Sequence, residues 1–240
     1  MKVIQKIRKQ IGILPDGSIF KYEQLNVEPP EYITAAKAIE RLIAQGFIKR
    51  LSTGIFYKPK KTVFGELQPN EEEILKPYLF EKGKRIAYIT GVSLYNRMGL
   101  TTQIPVNIKI ACRNKQIKIA RSNLNAAPVK SYVDVTDDNF YLLEWLDVLK
   151  DFNKIPDLNK ISAIKIISGK LRELNAKEIK LLITCCLAYP PRVRSFLGAL
   201  LEYTDETIDL TILREGLNPF SDFKFGVGEM LSTAKKWRIK

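Results

Sequence analysis

The sequence predicts an α+β protein, in which an N-terminal winged helix-turn-helix precedes an α+β domain that becomes mainly helical after about residue 140. Three observations carry this prediction. The first 61 residues follow the order helix, short helix, helix and basic hairpin, residues 84–150 mix β-prone and helical segments, and the remainder has helical periodicity. Because 240 residues suffice for one or two domains, we divide the chain into 1–61 and 62–240.

The N-terminal domain begins with an amphipathic segment, 2–11, in which isoleucine and valine recur at helical spacing. Residues 18–20 are β-prone, and residues 21–25 predict one or two helical turns. Pro29 and Pro30 end that short helix, because the residue before a proline avoids helical backbone angles.

A longer helix is predicted over 32–45, where the apolar residues form one stripe. Thr34, Lys37 and Arg41 lie three and four positions apart on a different face. The third helix of a winged helix-turn-helix presents polar side chains to a major groove, so we expect these three to contact DNA. Tyr32 is equally suited to hydrogen-bond a phosphate or to pack against the domain.

A hairpin is predicted to follow the long helix. Two β-prone runs, 47–51 and 55–58, flank a three-residue turn that contains glycine, which is typical of a hairpin. Lys49, Arg50 and Lys58 lie on these runs. We expect their charges to reach the phosphates that flank the groove.

The C-terminal domain is predicted from weaker signals. Residues 60–70 predict a linker, because proline and lysine accumulate there and regular periodicity lapses. Strands are predicted over 86–89, 106–111, 116–120 and 129–135, and helices over 71–78, 91–98, 140–152, 158–174, 176–187, 191–203 and 207–214. Asn175 is a candidate helix cap. The basic tail, 235–240, is compatible either with a frayed end or with contact to a polyanion.

The composition excludes several classes of protein and site. The sequence has no histidine, which removes His-dependent triads and His-ligated metals. No run approaches the roughly 20 apolar residues of a membrane helix, and the first residues lack the apolar core of a secretory signal. Cys112, Cys185 and Cys186 form an odd set without metal-finger spacing, which favours small buried thiols in a reduced, cytoplasmic protein.

The charge is strongly positive, with 39 Lys and Arg against 26 Asp and Glu and a net charge of +13. Residues 1–61 hold 12 of the basic residues and 5 of the acidic ones, so the excess is concentrated at the N-terminus. Such an excess implies a polyanionic partner, with nucleic acid ahead of an anionic membrane surface. A solvated basic face without a partner is the alternative.

No motif nominates a catalytic residue. The chain lacks a Walker-type loop, and Gly226-Val227-Gly228 lacks the third glycine of a dinucleotide fingerprint. Asp134, Asp137 and Asp138 crowd a turn, where aspartate is favoured for backbone reasons. No spacing nominates a Ser–Lys nucleophile pair. We therefore expect neither an enzyme nor a bound cofactor or metal.

Two segments resemble a known family. Residues 38–57, AIERLIAQGFIKRLSTGIFY, resemble the winged-helix domain of AbiEi-type antitoxins, which belong to bacterial type IV toxin–antitoxin systems. Residues 90–105, TGVSLYNRMGLTTQIP, are similar to the segment that opens the second domain of one AbiEi-like branch. The likeness covers about residues 1–135, and the chain departs from the branch pattern after Ala111.

The resemblance implies two activities. The N-terminal domain would bind double-stranded operator DNA and repress its own operon, and the C-terminal domain would counteract a nucleotidyltransferase-like toxin without requiring a stable complex. It places groove contacts at Thr34, Lys37 and Arg41 and implies no catalytic residue. It places hairpin contacts at Lys49, Arg50, Ser52, Thr53 and Lys58.

Two other functions stay open at this point. A winged helix with a basic hairpin also suits A-form backbone, so an RNA- or tRNA-binding accessory protein is the first alternative. A metal-dependent nuclease, which would use carboxylates of the second domain, is the second.

Overall fold

The computed structural model describes residues 3–63, 65–67, 69, 71–120 and 125–240. The chain is an α+β protein, which confirms the predicted class. It divides into two compact units, Met1–Gly83 and Lys84–Lys240.

The N-terminal unit begins with the elements that the sequence predicts, in the same order. They are α1 (Val3–Ile13), β1 (Ile19–Lys21), α2 (Tyr32–Ala44), β2 (Lys49–Ser52) and β3 (Ile55–Tyr57). A single 3-10 turn, Tyr22–Gln24, replaces the short helix expected over 21–25, and a second one, Pro29–Glu31, leads into α2. The strands form an antiparallel sheet in the order β1-β3-β2.

The core of this unit explains why the apolar periodicity of its helices is visible in the sequence. Ile7 and Ile11 of α1 and Leu42 of α2 are each 0% exposed and belong to one hydrophobic cluster. Burial of such a side chain contributes roughly 1.5–3 kcal/mol, so each helix is held by its apolar stripe. Phe20 and Phe56, on the paired strands β1 and β3, close the cluster with ring centroids 5.9 Å apart.

The prediction of a linker over 60–70 is wrong for residues 60–62 and 65–67. Strands β4 (Lys60–Thr62) and β5 (Gly65–Leu67) form an antiparallel hairpin there. All described side chains of β4 and β5 are exposed except Thr62, which is half-buried. Because no face is buried, the hairpin leaves no apolar alternation in the sequence.

The N-terminal unit also extends beyond residue 61. Helix α3 (Glu71–Leu79) buries Leu75, and the Tyr78 and Ser52 hydroxyls lie 3.4 Å apart. These contacts hold α3 to the first hairpin, so the structural boundary follows Gly83. The two-residue strand β6 (Phe80–Glu81) ends this unit.

The C-terminal unit starts with strands and ends with helices. Its elements are β7 (Lys84–Arg85), β8 (Ala87–Thr90), α4 (Val92–Arg97), β9 (Ile108–Cys112), β10 (Ile119–Ala120), β11 (Asn125–Lys130), α5 (Phe140–Asp151), α6 (Lys160–Glu173), α7 (Ala176–Cys186), α8 (Pro191–Thr204) and α9 (Thr211–Glu215). The main sheet has the order β10-β11-β9-β8, with β11 parallel to β9 and the other neighbours antiparallel.

One strand of this sheet lies at a different place from the predicted one. The prediction put a strand over 129–135, whereas β11 covers Asn125–Lys130 and contains Pro128. Its parallel pairing with β9 is a long-range contact, which local alternation does not encode. The strand expected over 116–120 shortens to Ile119–Ala120 and pairs with β11.

The basic tail is an integral part of the fold. Trp237, in the 3-10 turn Ala234–Trp237, is 0% exposed, and Ile239 is 3% exposed. Phe223 and Ile239 form a parallel β-bridge, and the Phe225 amide donates to the Lys240 carbonyl at 3.0 Å. Of the two possibilities left open for the tail, a frayed end is therefore wrong.

Other local predictions are confirmed. Asn175 caps α7, where its side chain accepts the amides of Lys177 and Glu178 at 3.0 Å each. All three cysteines are buried and free. Among the described residues, none of the helices is sufficiently long and apolar to cross a membrane.

Candidate nucleic-acid interface

The exposed face of α2 carries the helix residues of the predicted site. Ala35, Ala38, Ile39 and Leu42 are buried in the unit's core, so the opposite face of the helix is left to solvent. Thr34, Lys37 and Arg41 are all exposed there, as predicted. Gly46, with φ of +67°, follows the helix and turns the chain toward β2.

Lys37 and Arg41 are the two cations of this face, and their ion pairs decide whether they are available to a ligand. Within the described part of the chain, neither Lys37 nor Arg41 has a carboxylate in ion-pair distance. Flexible, solvated cations of this kind are free to meet phosphate or base-edge acceptors.

An ion pair brings the hairpin to the same surface. The Arg50 guanidinium of β2 pairs with the Glu40 carboxylate of α2, and both side chains are at least half exposed. The guanidinium also lies 5.8 Å from the centroid of the Phe56 ring. Because Glu40 lies three positions from Lys37 and adjoins Arg41 in α2, the pair puts the hairpin beside the helix cations.

A second ion pair links the two hairpins of the unit. The Lys49 ammonium of β2 pairs with the Glu66 carboxylate of β5. The hydrogen bond to Glu66 raises the pKa of Lys49 above its ordinary value, and the same bond lowers the pKa of Glu66. Lys49 therefore stays charged, and phosphate contact requires it to exchange one anion for another.

The structure gives Lys58 a position apart from the other predicted site residues. Its ammonium donates to the carbonyls of Gly12 and Leu14 at 3.2 and 2.8 Å, and it lies 3.0 Å from an Asp16 oxygen. Only 19% of its side chain is exposed. These three acceptors satisfy the ammonium at the end of α1, so Lys58 stabilises the fold and is removed from the set of candidate DNA contacts.

The remaining predicted residues differ in exposure. Thr53 is exposed at the turn of the first hairpin, whereas Ser52 is half-buried beside Tyr78. Tyr32 is 52% exposed, and its backbone carbonyl accepts the Tyr22 hydroxyl at 3.1 Å. The Tyr32 ring is therefore exposed at the start of α2, where it remains a candidate contact.

Sequence reasoning missed three residues of this surface. Glu40 and Glu66 hold the hairpin cations, and their partners lie 10 and 17 positions away along the chain. Ile33 is 75% exposed in the first turn of α2, outside the apolar stripe. That position off the stripe is the one signal that could have identified Ile33 from the sequence.

The polar cluster of the C-terminal unit is built into its fold. Asp147 of α5 is 2% exposed and accepts hydrogen bonds from Thr90 at 2.7 Å, Tyr88 at 3.0 Å and Lys150 at 2.6 Å. Burial raises the pKa of the Tyr88 hydroxyl, and the Asp147 charge raises it further. Burial lowers the pKa of Lys150, but the Asp147 carboxylate reverses this and raises it overall. The cluster joins α5 to β8.

The acidic turn of the same unit does not gather carboxylates around one point. Asp134, Asp137 and Asp138 are exposed, and Asp137 pairs with Arg85 at 3.0 Å. Within the described ranges, no group of three metal-ligating side chains could hold a metal ion. This part of the structure gives no support to the nuclease alternative.

Comparison with known proteins identifies a family without a known activity. The model described as "Family of unknown function (DUF6088)" matches residues 6–129, which is just over half of the chain. No curated protein matches the chain in sequence. The chain is similar to the crystal structure of the RV2827C protein from Mycobacterium tuberculosis, with a TM-score of 0.52 and 11% identity over 99% of this chain and 89% of that one. At that identity the likeness shows the fold alone.

Proposed function

We propose that this chain, which belongs to the DUF6088 family of unknown function, binds double-stranded DNA through its N-terminal unit and represses transcription of its own operon. We propose further that it acts as the antitoxin of a type IV toxin–antitoxin pair. The order of α1, β1, α2 and the first hairpin supports a winged helix-turn-helix, in which α2 is the recognition helix.

The contact between Arg50 and Glu40 is the observation that carries the DNA proposal. It joins the exposed side of α2 to the first hairpin, so that helix and hairpin address one ligand surface. A winged helix needs this arrangement, because the helix enters the major groove while the hairpin contacts the backbone next to it.

The side chains on this surface suit separate roles. Arg41 and Lys37 have donors that match guanine O6 and N7 or phosphate oxygens, and Thr34 can donate to base or backbone. Ile33 can contact a thymine methyl group, which is an apolar feature of the major groove. Lys49 and Arg50 supply charge to the phosphates once their carboxylates are displaced.

The antitoxin part of the proposal is supported by the resemblance in residues 90–105. In the structure this segment runs from the end of β8 through a turn and α4 into a loop. The Asn96 amide donates to the carbonyls of Thr101 and Gln103 at 3.3 and 3.1 Å. Gly91 has φ of +73°, and a Cβ there would lie 2.9 Å from the Lys109 side chain. Asn96 and Gly91 thus have structural roles, so the support that this segment gives to the antitoxin proposal is the resemblance itself.

The DNA proposal is tested by fluorescence anisotropy on three labelled probes. They are a duplex from the region upstream of the protein's own gene, a scrambled duplex of the same composition, and a folded RNA. We expect the upstream duplex to bind about 10³-fold more tightly than the scrambled one at physiological salt. Equal affinities for the two duplexes, or a preference for RNA, would contradict specific DNA binding.

The antitoxin proposal is tested by growth. A nucleotidyltransferase-like gene next to the coding sequence would be expressed with and without the full chain. We expect the toxin alone to arrest growth and co-expression to restore it. Arrest that persists with the intact chain present would contradict the antitoxin role, while leaving the DNA proposal in place.

A further inference from the structure

The described side chains of the hairpin of β4 and β5 are exposed, apart from that of Thr62, which is half-buried. The register of the hairpin pairs Lys60 with Leu67, Lys61 with Glu66 and Thr62 with Gly65. The Thr62 hydroxyl donates to the Gly65 carbonyl at 2.8 Å across the turn. A two-stranded hairpin is only marginally stable in water by itself, so its attachment to the rest of the unit matters.

One ion pair attaches this hairpin to the first one. Pro59, which precedes β4, is buried, and Glu66 of β5 pairs with Lys49 of β2. Arg50, the next residue of β2, pairs with Glu40 of α2, and because neighbouring residues of a strand project from opposite faces, Glu66 and Glu40 are held on opposite faces of the first hairpin. The second hairpin is therefore attached to the first hairpin through Lys49, on the face of β2 opposite to Arg50.

Strand β4 carries two exposed cations, and the described residue that follows it is apolar. Lys60 and Lys61 are exposed, and in the described part of the chain Lys60 has no ion-pair partner. Lys61 faces Glu66, whose carboxylate is already held by Lys49. Val63 is 94% exposed next to the turn.

This chemistry favours phosphate over a base edge as the ligand. A lysine ammonium is a compact point charge on a flexible stem, which neutralises phosphate without selecting a sequence. β-Ribbons of this size fit along or within the grooves of a duplex. An acidic protein surface would also attract lysines, but the attachment to the first hairpin, which is proposed to contact the DNA backbone, favours the duplex.

We infer that β4 and β5 form a second wing, which contacts the DNA backbone beyond the site covered by α2 and the first hairpin. This inference rests on the proposed DNA binding. The second wing adds phosphate contacts through Lys60 and Lys61, and it lengthens the protected site without adding base specificity.

The test is the salt dependence of DNA affinity for full-length variants. We expect Lys60→Ala with Lys61→Ala to flatten the slope of log affinity against log salt by about two units, roughly equally for upstream and scrambled duplexes. The matched control replaces Lys177 and Lys180, two exposed lysines of α7, and should leave the slope unchanged. Equal slopes for the second-wing variant and the wild type would overturn the inference.

A second pair of variants excludes an effect on folding. Val63→Asp places a negative charge at the exposed tip and should weaken binding to every duplex, whereas Val63→Asn should not. Unchanged affinity of Val63→Asp would also overturn the inference. Because these contacts do not select sequence, the scrambled duplex alone reports on the second wing. Failure of the proposed specific function appears separately, as a missing preference for the upstream duplex.

Discussion

Replacement of Gly198 by alanine tests whether the C-terminal tail is part of the core. Gly198 lies within α8, where an added Cβ would come within 2.5 Å of Cε3 of Trp237 and closer still to two other ring carbons. The ring cannot move aside easily. It is fully buried, its Nε1 donates to Glu202 at 2.5 Å, and the Trp237 carbonyl accepts a hydrogen bond from Ser195.

The size of the expected loss in stability depends on whether the Trp237 ring stays in an overpacked core or is expelled from it. Overpacking a core costs about 1–3 kcal/mol, and loss of a buried tryptophan costs about 3–5 kcal/mol. Alanine recovers about 1 kcal/mol of helix propensity, so we expect Gly198→Ala to lower the free energy of unfolding by about 2 kcal/mol, where the upper end of overpacking meets the lower end of expulsion.

Gly169 supplies the matched control for this substitution. It lies in α6 of the same unit with no heavy atom within 4 Å of an added Cβ. Gly169→Ala should therefore stabilise the unit by about 0.5–1 kcal/mol through helix propensity. Urea unfolding followed by circular dichroism measures both variants on the same transition. If the two variants were equally stable, the placement of Trp237 against α8 would be refuted.

Three further predictions address the wing, a helix cap and the thiols. Glu66→Gln should release the Lys49 charge and steepen the slope of log affinity against log salt by about one unit; an unchanged slope would contradict this. Asn175→Ala should lower the free energy of unfolding by about 1 kcal/mol in urea titrations, because α7 loses its cap, and a change near zero would count against the capping box. Burial raises the pKa of the Cys185 and Cys186 thiols, so a thiol reagent at pH 8 should react slowly with native protein and rapidly in denaturant; fast native reaction would show that they are accessible.

The elements predicted correctly from the sequence are those with a buried face. α2 buries apolar side chains at helical spacing, so its period of 3.6 is visible in the chain, and β3 buries all three residues of a β-prone run that follows a glycine turn. The second hairpin buries no described side chain, so the sequence predicts a linker in its place. The strand predicted over 129–135 is wrong in position, because the location of β11 depends on its parallel pairing with β9, and no local sequence pattern indicates that pairing.

The residues of the candidate site also differ in how far the sequence alone predicts their environment. The exposure of Thr34, Lys37 and Arg41 follows from the helical period, so the sequence was sufficient to predict it. The engagement of Lys49 by Glu66 and of Lys58 by the end of α1 depends on contacts between elements distant in the chain. Such contacts decide which cations are free, and composition alone counts every lysine equally.

The most direct test of DNA reading by α2 is a base-pair scan with wild type and Lys37→Ala at one salt concentration. Each base pair of the bound upstream duplex is changed in turn, and the affinity of both proteins is measured for every duplex. We predict that Lys37→Ala loses about 1–3 kcal/mol of discrimination at one or two positions and keeps it elsewhere. Discrimination identical to that of the wild type at every position, whatever the overall affinity, would contradict base reading by this face of α2.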